Sequence, residues 1–367
     1  MLIYLITFFL SYVLLRIGQN KKNKLQRNVC IIMAILLPSI LAGCRDFTIG
    51  TDVLIYGNRW FRYAVNSQQN FAGYVRWAVA ASIGAVYASI NYFVAMFTEN
   101  THWFYFFLSA ITNSLVYKAV KDNDDLIDVP FAMLTYYLLF YNQSLNLLRQ
   151  SLAVAFGACA FIYIRKQKKI SFIICAMLAM FTHSSAIVIM AIYIIYITIN
   201  GKFGTIAKIG MLIGTVVSVV GFASITHFLI QIGILSNRYE HYIYDMQRGG
   251  GYVRLFLLCI PYLILIMFCT KKTEFEKEKN VLVIFLIMAS MLSLLAFRLS
   301  HITRIANYFD IYLIFSIPYI AQNCRYEIKG WEKNLNQLFL VCLMLLYWIL
   351  VYVIRQGGET VPYLFMT

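Results

Sequence analysis

Charged side chains are scarce in this sequence. Only 13% of its 367 residues are Asp, Glu, Lys or Arg, whereas 61% are hydrophobic, and its mean hydropathy is positive. This balance excludes a soluble domain as the main body of the chain. We therefore expect an all-α, polytopic integral membrane protein, built as a bundle of apolar helices.

Paired cysteines and a cleavable leader are also missing. The eight cysteines are scattered singly, mostly inside apolar runs, and no CxxC pair occurs. They are interpreted as small core residues rather than disulfide or metal ligands. Residues 1–18 have no basic n-region and no small-residue cleavage site, so they are predicted to be a retained membrane span.

Lysine is absent from one set of the loops between the apolar runs. Lysine-containing clusters occur near 21–27, 165–169, 202–208, 271–279 and 325–333. The positive-inside rule predicts that these clusters face the cytoplasm. The other loops then face outward, and their basic residues are all arginine. Since the arginine fork suits bidentate contacts with phosphate or carboxylate, these arginines are predicted to bind a ligand, with headgroup anchoring as the alternative.

The apolar runs indicate about 11–13 helical segments in a single polytopic transmembrane domain over 1–367. Candidate spans lie at 1–18, 28–43, 77–97, 103–120, 126–145, 149–165, 170–182, 185–200, 204–222, 252–269, 281–297, 305–321 and 336–355. Several are shorter than the roughly 20 residues that cross a bilayer, so some are expected to be broken or re-entrant. The chain is predicted to be outside at 76 and inside at 165, so it must cross the membrane an odd number of times between these residues. Four apolar runs lie between them, however. One run within 77–120 is therefore predicted to lie in the interface or to turn back.

Four polar or ionisable side chains lie at helical spacing in the segment 298–308, which we call the late strip. Arg298, His301, Arg304 and Tyr308 are separated by three, three and four residues, which is the spacing of one helix face. Ionisable groups at the rim of a membrane segment are costly unless they have a partner or a function. The strip is therefore predicted to bind a polyanion. Arginines that extend to lipid headgroups are the alternative.

The first outward loop, 44–76, holds a second cluster. Gly50 permits a tight turn that would bring Arg45, Asp52 and Tyr56 near one another. A helix cap is the alternative for Asp52. The aromatic and polar stretch from Tyr56 onward is predicted to form an amphipathic helix on the outer leaflet.

Two further clusters lie near the outward ends of apolar runs. Asn142, Asn146 and Arg149 share a helix face, with Gln150 adjacent, which predicts either the lining of a cavity or polar contacts between helices. His183 lies at a break between two short runs. It is interpreted as a proton acceptor, with a structural histidine as the alternative.

A second outward loop, 223–254, is rich in tyrosine and contains Gly249, Gly250 and Gly251 in a row. Aromatic faces suit sugar rings, and a triple glycine suits the hinge of a lid. This loop is therefore predicted to set substrate specificity. An interfacial helix followed by a flexible turn is the alternative.

Four sequence patterns occur in an order that resembles a known family. They are GCRDFTIGTDVLIYGNRW, LNLLRQSLAVAF (145–156), AMFTHSSAIVIM (179–190) and a late arginine-bearing helix entry that ends in Tyr308 and Phe309. Together they resemble the EpsG-like family of bacterial polysaccharide polymerases, the Wzy type of O-antigen and capsule synthesis. The likeness runs through nearly the whole chain, but the strip around His301 has no residue-by-residue match.

The resemblance implies a glycosyltransferase at the outer face of the bacterial inner membrane. Such enzymes join oligosaccharide repeat units carried on undecaprenyl diphosphate, which serves as donor and acceptor, and they are similar in architecture to the metal-independent GT-C enzymes. A chain-length regulator and a flippase are the expected partners in the membrane. No nucleic acid, metal or other cofactor is expected, and no DxD or carboxylate pair at metal-ligand spacing occurs on the outward side.

This chemistry assigns a role to each cluster. Fixed arginines stabilise the charge that develops on a departing diphosphate. The assignments are Arg45, Arg149, Arg298 and Arg304 to the diphosphate, His183, His301 and Asp52 as candidate bases with His183 first, and Tyr56, Gln150 and Tyr308 to sugar hydroxyls.

Two other functions fit a polytopic chain with outward arginines. A flippase or exporter of lipid-linked saccharides usually shows internal structural repeats, and we find none. A membrane O-acyltransferase needs a histidine in a tunnel open to the cytoplasm, whereas His183 and His301 are both predicted to face outward. The polymerase is favoured over both.

Overall fold

The structure is a computed structural model that describes residues 1–201, 251–269, 274–297, 302–323 and 332–366, with short stretches between 204 and 232. Within these ranges the chain is helical and forms no strand beyond one isolated bridge. Four of the described helices are long and apolar enough to cross a membrane: Leu2–Gln19, Lys24–Gly43, Glu276–Leu295 and Asn336–Ile354. The predicted all-α, polytopic membrane fold is confirmed.

The chain divides into two compact units. Unit 1 contains Met1–Ile187 and Gln337–Thr367, and unit 2 contains Val188–Asn336. The predicted clusters of the first outward loop, of 142–150 and of His183 all belong to unit 1. The late strip and the loop 223–254 belong to unit 2.

Unit 1 is built of long and short helices. In chain order they are α1 (Leu2–Gln19), α2 (Lys24–Gly43), α3 (Arg59–Val65), α4 (Phe71–Ala80), α5 (Ala85–Ala95), α6 (Thr101–Lys121), α7 (Val129–Tyr136), α8 (Asn142–Asn146), α9 (Leu148–Arg165) and α10 (Lys169–Thr182). π-Helical segments at Val53–Asn58 and Tyr137–Tyr141 lead into α3 and α8. Such segments are frequent at functional sites.

Side-chain caps determine where several of these helices begin. Asn23, Asn70, Asn100 and Asp128 each accept a hydrogen bond from a backbone N–H in the turn that follows. Pro130 lies in the first turn of α7, where its missing N–H leaves no helical bond unmade. Since such a cap is worth about 1 kcal/mol, these polar residues set the start of each helix.

Contacts between α2 and α6 define two ends of unit 1. His102 Nδ1 lies 2.9 Å from the Gly43 carbonyl oxygen at one end, whereas Arg27 and Lys121 line one cavity at the other. We call the first end the loop face; it comprises 44–100, 146–149, 181–187 and 355–366. We call the second end the lysine face; it comprises 19–27, 121–128 and 165–169.

The predicted re-entrant run is found at 77–97. This run is split between α4 and α5, because the chain turns at Ser82, where φ is +63°. Both helices stay at the loop face, and α6 makes the crossing to the lysine face.

The stretch after Tyr56, predicted to be one amphipathic helix, is divided into shorter elements. The stretch forms the π-helical segment Val53–Asn58, then α3, then the start of α4. Trp60 and Phe61 are 9% and 0% exposed, because they pack inward against Tyr74 and Tyr87 rather than outward. One face of α3 therefore buries aromatic surface on neighbouring helices, whereas its other face is exposed.

Unit 2 is described in part. Its helices are α11 (Val188–Ile199), α12 (Gly251–Val253), α13 (Ile260–Met267), α14 (Glu276–Leu295), α15 (Ile302–Asp310), α16 (Leu313–Asn323) and the first turn of α17 (Glu332–Trp348), with a π-helical segment at Arg254–Cys259. A Cβ added at Gly251 would lie 2.5 Å from the Ser293 carbonyl oxygen, so this glycine allows close packing on α14. The hinge predicted at Gly249 and Gly250, with most of the loop 223–254, lies outside the described residues.

Candidate functional site

Hydrogen bonds connect the turn that follows α2 to the break between α8 and α9. Gly50 has a φ of +104°, which favours glycine and confirms the predicted tight turn. Asn146 Oδ1 accepts hydrogen bonds from Thr51 Oγ1 at 2.9 Å and from the Asp52 backbone N–H at 3.0 Å. Asp52 makes no side-chain capping bond to the helical segment that it precedes, so the helix-cap alternative is not supported.

Arg45 lies in a cage of tyrosines. It is 1% exposed, its guanidinium carbon is 4.3 Å from the centre of the Tyr105 ring, and its Nη1 donates to the Leu145 carbonyl oxygen at 2.6 Å. Burial lowers the pKa of Arg45, and contacts with Tyr105 and Tyr141 act in the opposite direction. The guanidinium ties the end of α8 to the chain after α2 and is closed to a ligand. We therefore treat Arg45 as a scaffold residue instead of the predicted diphosphate contact.

Arg149 lies at the start of α9 and is partly exposed. Its guanidinium carbon lies 4.0 Å from the centre of the Tyr56 ring, and its Nη1 donates to the Ser82 carbonyl oxygen at 3.0 Å. Both partners are neutral, and the ion pairs of the described residues do not include Arg149. A positive charge is therefore held at the loop face without being neutralised by a carboxylate.

The turn between α4 and α5 connects Arg149 to the helix break at His183. The Ser82 carbonyl oxygen accepts the hydrogen bond from Arg149. Two residues later, Gly84 lies against the end of α10, where an added Cβ would be 2.5 Å from the Phe181 carbonyl oxygen. Arg149, its stacking partner and His183 therefore belong to one region of the loop face.

His183 ends α10, and its ring turns back onto the next residues. Nδ1 lies 2.7 Å from Ser185 Oγ and accepts a hydrogen bond from the Ser185 backbone N–H at 3.3 Å. Since a backbone N–H can only donate, Nδ1 is an acceptor, and the neutral ring carries its proton on Nε2. Nδ1 is therefore the basic nitrogen, and the Ser185 hydroxyl lies beside it.

The polar residues of 142–150 do not follow one helix face. The helix breaks at Leu147, where φ is −82° and ψ is 62°. Asn142 is fully buried, where it accepts from Trp348 Nε1 at 2.8 Å and donates to Thr360 Oγ1 at 3.1 Å. Gln150 is 3% exposed, so it is enclosed by protein rather than open to the sugar that the sequence assigned to it. In this cluster only Arg149 supports the predicted cavity lining.

In unit 2 the structure describes half of the predicted strip. α15 confirms that its later part is helical; Arg304 is exposed, whereas Tyr308, one turn further on, is 1% exposed. Tyr308 is thus enclosed by protein and does not share an open face with Arg304. Arg298 and His301 lie outside the described residues.

α15 also carries an acidic residue that the sequence analysis missed. Asp310 is 2% exposed and forms an ion pair with Arg254, whose Nη1 donates to Asn307 Oδ1 at 3.1 Å. The pair joins α15 to the π-helical segment that starts at Arg254. The sequence did contain a signal for this ion pair, because an acidic residue inside an apolar run, such as Asp310 in 305–321, requires a cationic partner.

Gly84→Ala is expected to destabilise unit 1 without removing any functional group. The added methyl group would overlap the Thr182 carbonyl oxygen, so the turn must shift, at a cost of about 1–3 kcal/mol. A lower melting temperature in detergent would show this. Gly210→Ala is the control, since its Cβ meets no described atom within 4 Å. Equal melting temperatures for the two variants would contradict the close approach.

Comparison with known protein families identifies the family of this chain. The sequence matches the model of the EpsG family over residues 28–365. The chain belongs to the EpsG family. A search of the curated proteins and a search of the solved structures found no match.

EpsG-family membership confirms the resemblance that the sequence patterns indicated, and it indicates a polysaccharide-polymerase type of role in a membrane protein. The EpsG match reaches Phe365, whose backbone forms the isolated bridge with Arg45. The C-terminal residues that complete the loop face are therefore part of the family's own domain.

Proposed function

We propose that this EpsG-family protein is a glycosyltransferase that joins oligosaccharide repeat units carried on undecaprenyl diphosphate. Its loop face would lie outside the cytoplasmic membrane. The charge distribution supports this orientation, since the lysine face contains Lys21, Lys22 and Lys24 whereas 44–100 contains no lysine.

The fixed position of the Arg149 guanidinium is the observation that carries the proposal. Its guanidinium is fixed by the Tyr56 ring and by a backbone carbonyl, both of which leave its positive charge in place. A cation held in advance at the site stabilises a phosphate oxygen as negative charge develops on it. Arginine also matches the fork of two phosphate oxygens, which suits a lipid diphosphate.

The proposed reaction is a displacement at the anomeric carbon of the donor sugar. An acceptor hydroxyl oxygen forms the new glycosidic bond, while the bond from the anomeric carbon to the phosphate oxygen breaks. The diphosphate leaves with the bonding electron pair, which Arg149 stabilises. The acceptor proton passes to a base.

Ser185 gives His183 a route to that proton. The acceptor hydroxyl would lose its proton to Ser185 Oγ as the Ser185 proton moves to His183 Nδ1, at the 2.7 Å separation seen here. Asp52 and His301 are the alternative bases. In the alternative role for His183, the Nε2 proton is donated to a phosphate or sugar oxygen.

Ser185→Ala distinguishes these two roles of His183. If the proton passes through Ser185, the variant loses about 10²–10⁴-fold in polymerisation rate, as expected for the loss of acid–base catalysis. His183→Gln should then have a similar effect. A Ser185→Ala variant with a wild-type rate, alongside an inactive His183→Gln variant, would reject the relay and favour donation from Nε2.

An apolar pocket beside the loop face suits part of the polyprenyl chain. The pocket has a volume of about 380 Å³, and Ile40, Trp103, Phe106 and Met366 line it. Trp103 is 51% exposed on the outside of α6, so the pocket is open to lipid. An isoprenoid tail held there would bring its diphosphate to the level of the loop face.

The roles assigned to residues of unit 2 remain part of the proposal. Arg298 and Arg304 are proposed to bind the diphosphate, and substitution of either by alanine tests this. A chain-length regulator and a flippase are the proposed protein partners.

Purified protein mixed with one lipid-linked repeat unit tests the proposed reaction. A ladder of longer saccharides is the expected product, and transport without lengthening would indicate a flippase instead. Transfer of an acyl group would indicate the acyltransferase. Chain growth is also expected to continue in excess chelator, and strict dependence on added magnesium or manganese would contradict the metal-free mechanism.

A further inference from the structure

A cavity of about 610 Å³ opens at the lysine face of unit 1, at the end opposite to the proposed reaction. We call it the basic cavity. Its polar lining consists of Gln19, Arg27, Asn28, Tyr117 and Lys121. Gln19 lies at the end of α1, Arg27 and Asn28 at the start of α2, and the other two at the end of α6, so three helix ends converge on it. The lining contains two cations and no carboxylate.

The rest of the lining is apolar. Leu15, Ile31, Ile32 and Val129 complete the wall. Ile32 is 53% exposed on α2, which is long and apolar enough to cross a membrane. The cavity therefore changes from polar to apolar and continues along a surface that lipid would cover.

The acidic residues near the cavity pair with bases other than Arg27, so they do not neutralise its charge. Three carboxylates pair with bases outside the cavity: Asp128 with Arg16, Asp122 with Lys118, and Asp125 with Arg165. Asp124 pairs with Lys121, but both side chains are about half exposed, so that pair is weak. Within the described residues, Arg27 takes part in no ion pair.

We infer that the basic cavity binds an anionic phospholipid, with the phosphate between Arg27 and Lys121 and one acyl chain along Ile31 and Ile32. Arg27 and Lys121 both attract the single negative charge of the phosphodiester, and Gln19, Asn28 and Tyr117 offer hydrogen bonds to the remaining headgroup oxygens. The apolar wall distinguishes a lipid from a free phosphate, because only a lipid brings an acyl chain. Lipid binding here is independent of the proposed sugar transfer.

Native mass spectrometry of the purified full chain tests the inference. The protein in detergent is offered equal amounts of phosphatidylglycerol and phosphatidylcholine. We expect phosphatidylglycerol to be retained about tenfold better, which corresponds to about 1.4 kcal/mol. The double variant Arg27→Gln with Lys121→Gln should lose this preference. Equal retention of the two lipids by the wild-type protein would overturn the inference.

A matched control separates the cavity from net charge. Lys168→Gln with Lys169→Gln removes two exposed cations from the same face, and neither residue lines the cavity. This control should keep the preference for phosphatidylglycerol. An equal loss in both double variants would show a general charge effect and reject the cavity. Displacement of the lipid by excess glycerol phosphate would reject the role of the acyl chain. The melting temperature without lipid should be the same for all three proteins, since the substituted side chains are exposed.

Discussion

Arg149→Ala is expected to abolish chain growth while the protein remains inserted and abundant. The variant leaves the departing diphosphate without its fixed cation, and the loss of one such donor typically costs about 10²–10³-fold in rate. Arg149→Lys should be intermediate, because it keeps the charge but loses the fork and much of the stacking on Tyr56. The measurement is the rate of saccharide-ladder formation by purified protein at equal concentrations.

Arg62→Ala is the matched control for this experiment. Arg62 is an exposed arginine of α3 at the same loop face, so its substitution removes the same charge from the same end of unit 1. We expect nearly normal chain growth from it. Wild-type polymer from Arg149→Ala would remove Arg149 from the proposed site, and equal losses in the two variants would indicate a general effect of surface charge.

Asp310→Ala is expected to cause the largest loss of stability in unit 2. It leaves the partly buried Arg254 without its carboxylate, and the removal of one partner from a buried ion pair costs about 3–5 kcal/mol. The free energy of unfolding, measured in mixed micelles, should fall by about this amount.

A double substitution distinguishes a lost ion pair from a general packing defect. Arg254→Met with Asp310→Leu replaces both charges by apolar groups of similar size, which is often neutral or stabilising for a buried pair. We expect it to recover most of the stability lost in Asp310→Ala. A double variant as unstable as the single one would show that the charges are not the cause.

The membrane fold followed from the sequence because its cause is local. Runs of apolar residues and their lengths predicted the spans, and counting crossings predicted that part of 77–120 would not cross. Gly50 was also predictable, since a positive φ is the conformation that glycine supplies most easily. The spans assigned at 126–145 and 149–165 also leave room for the helix break at Leu147. Neither glycine nor proline marks that break, however, so Asn142 and Arg149 were assigned to one helix face.

The candidate site was less predictable, because burial depends on residues distant in the chain. Arg45 and Arg149 look equivalent in the sequence, yet Tyr105 encloses the first, whereas the second remains partly exposed beside Tyr56. Tyr308 shows the same limit, since helical spacing gives the direction of a side chain but not what covers it. The partners of these residues come from helices that no short pattern connects.

The bridge between Arg45 and Phe365 has a consequence for biosynthesis. Phe365 leaves the ribosome only after all of unit 2 has been made. The same holds for Thr360, whose hydroxyl accepts a hydrogen bond from Asn142. The early helices of unit 1 must therefore wait, inserted but incompletely packed, while unit 2 is translated. Activity that depends on the finished loop face would thus begin only after unit 2 has been translated.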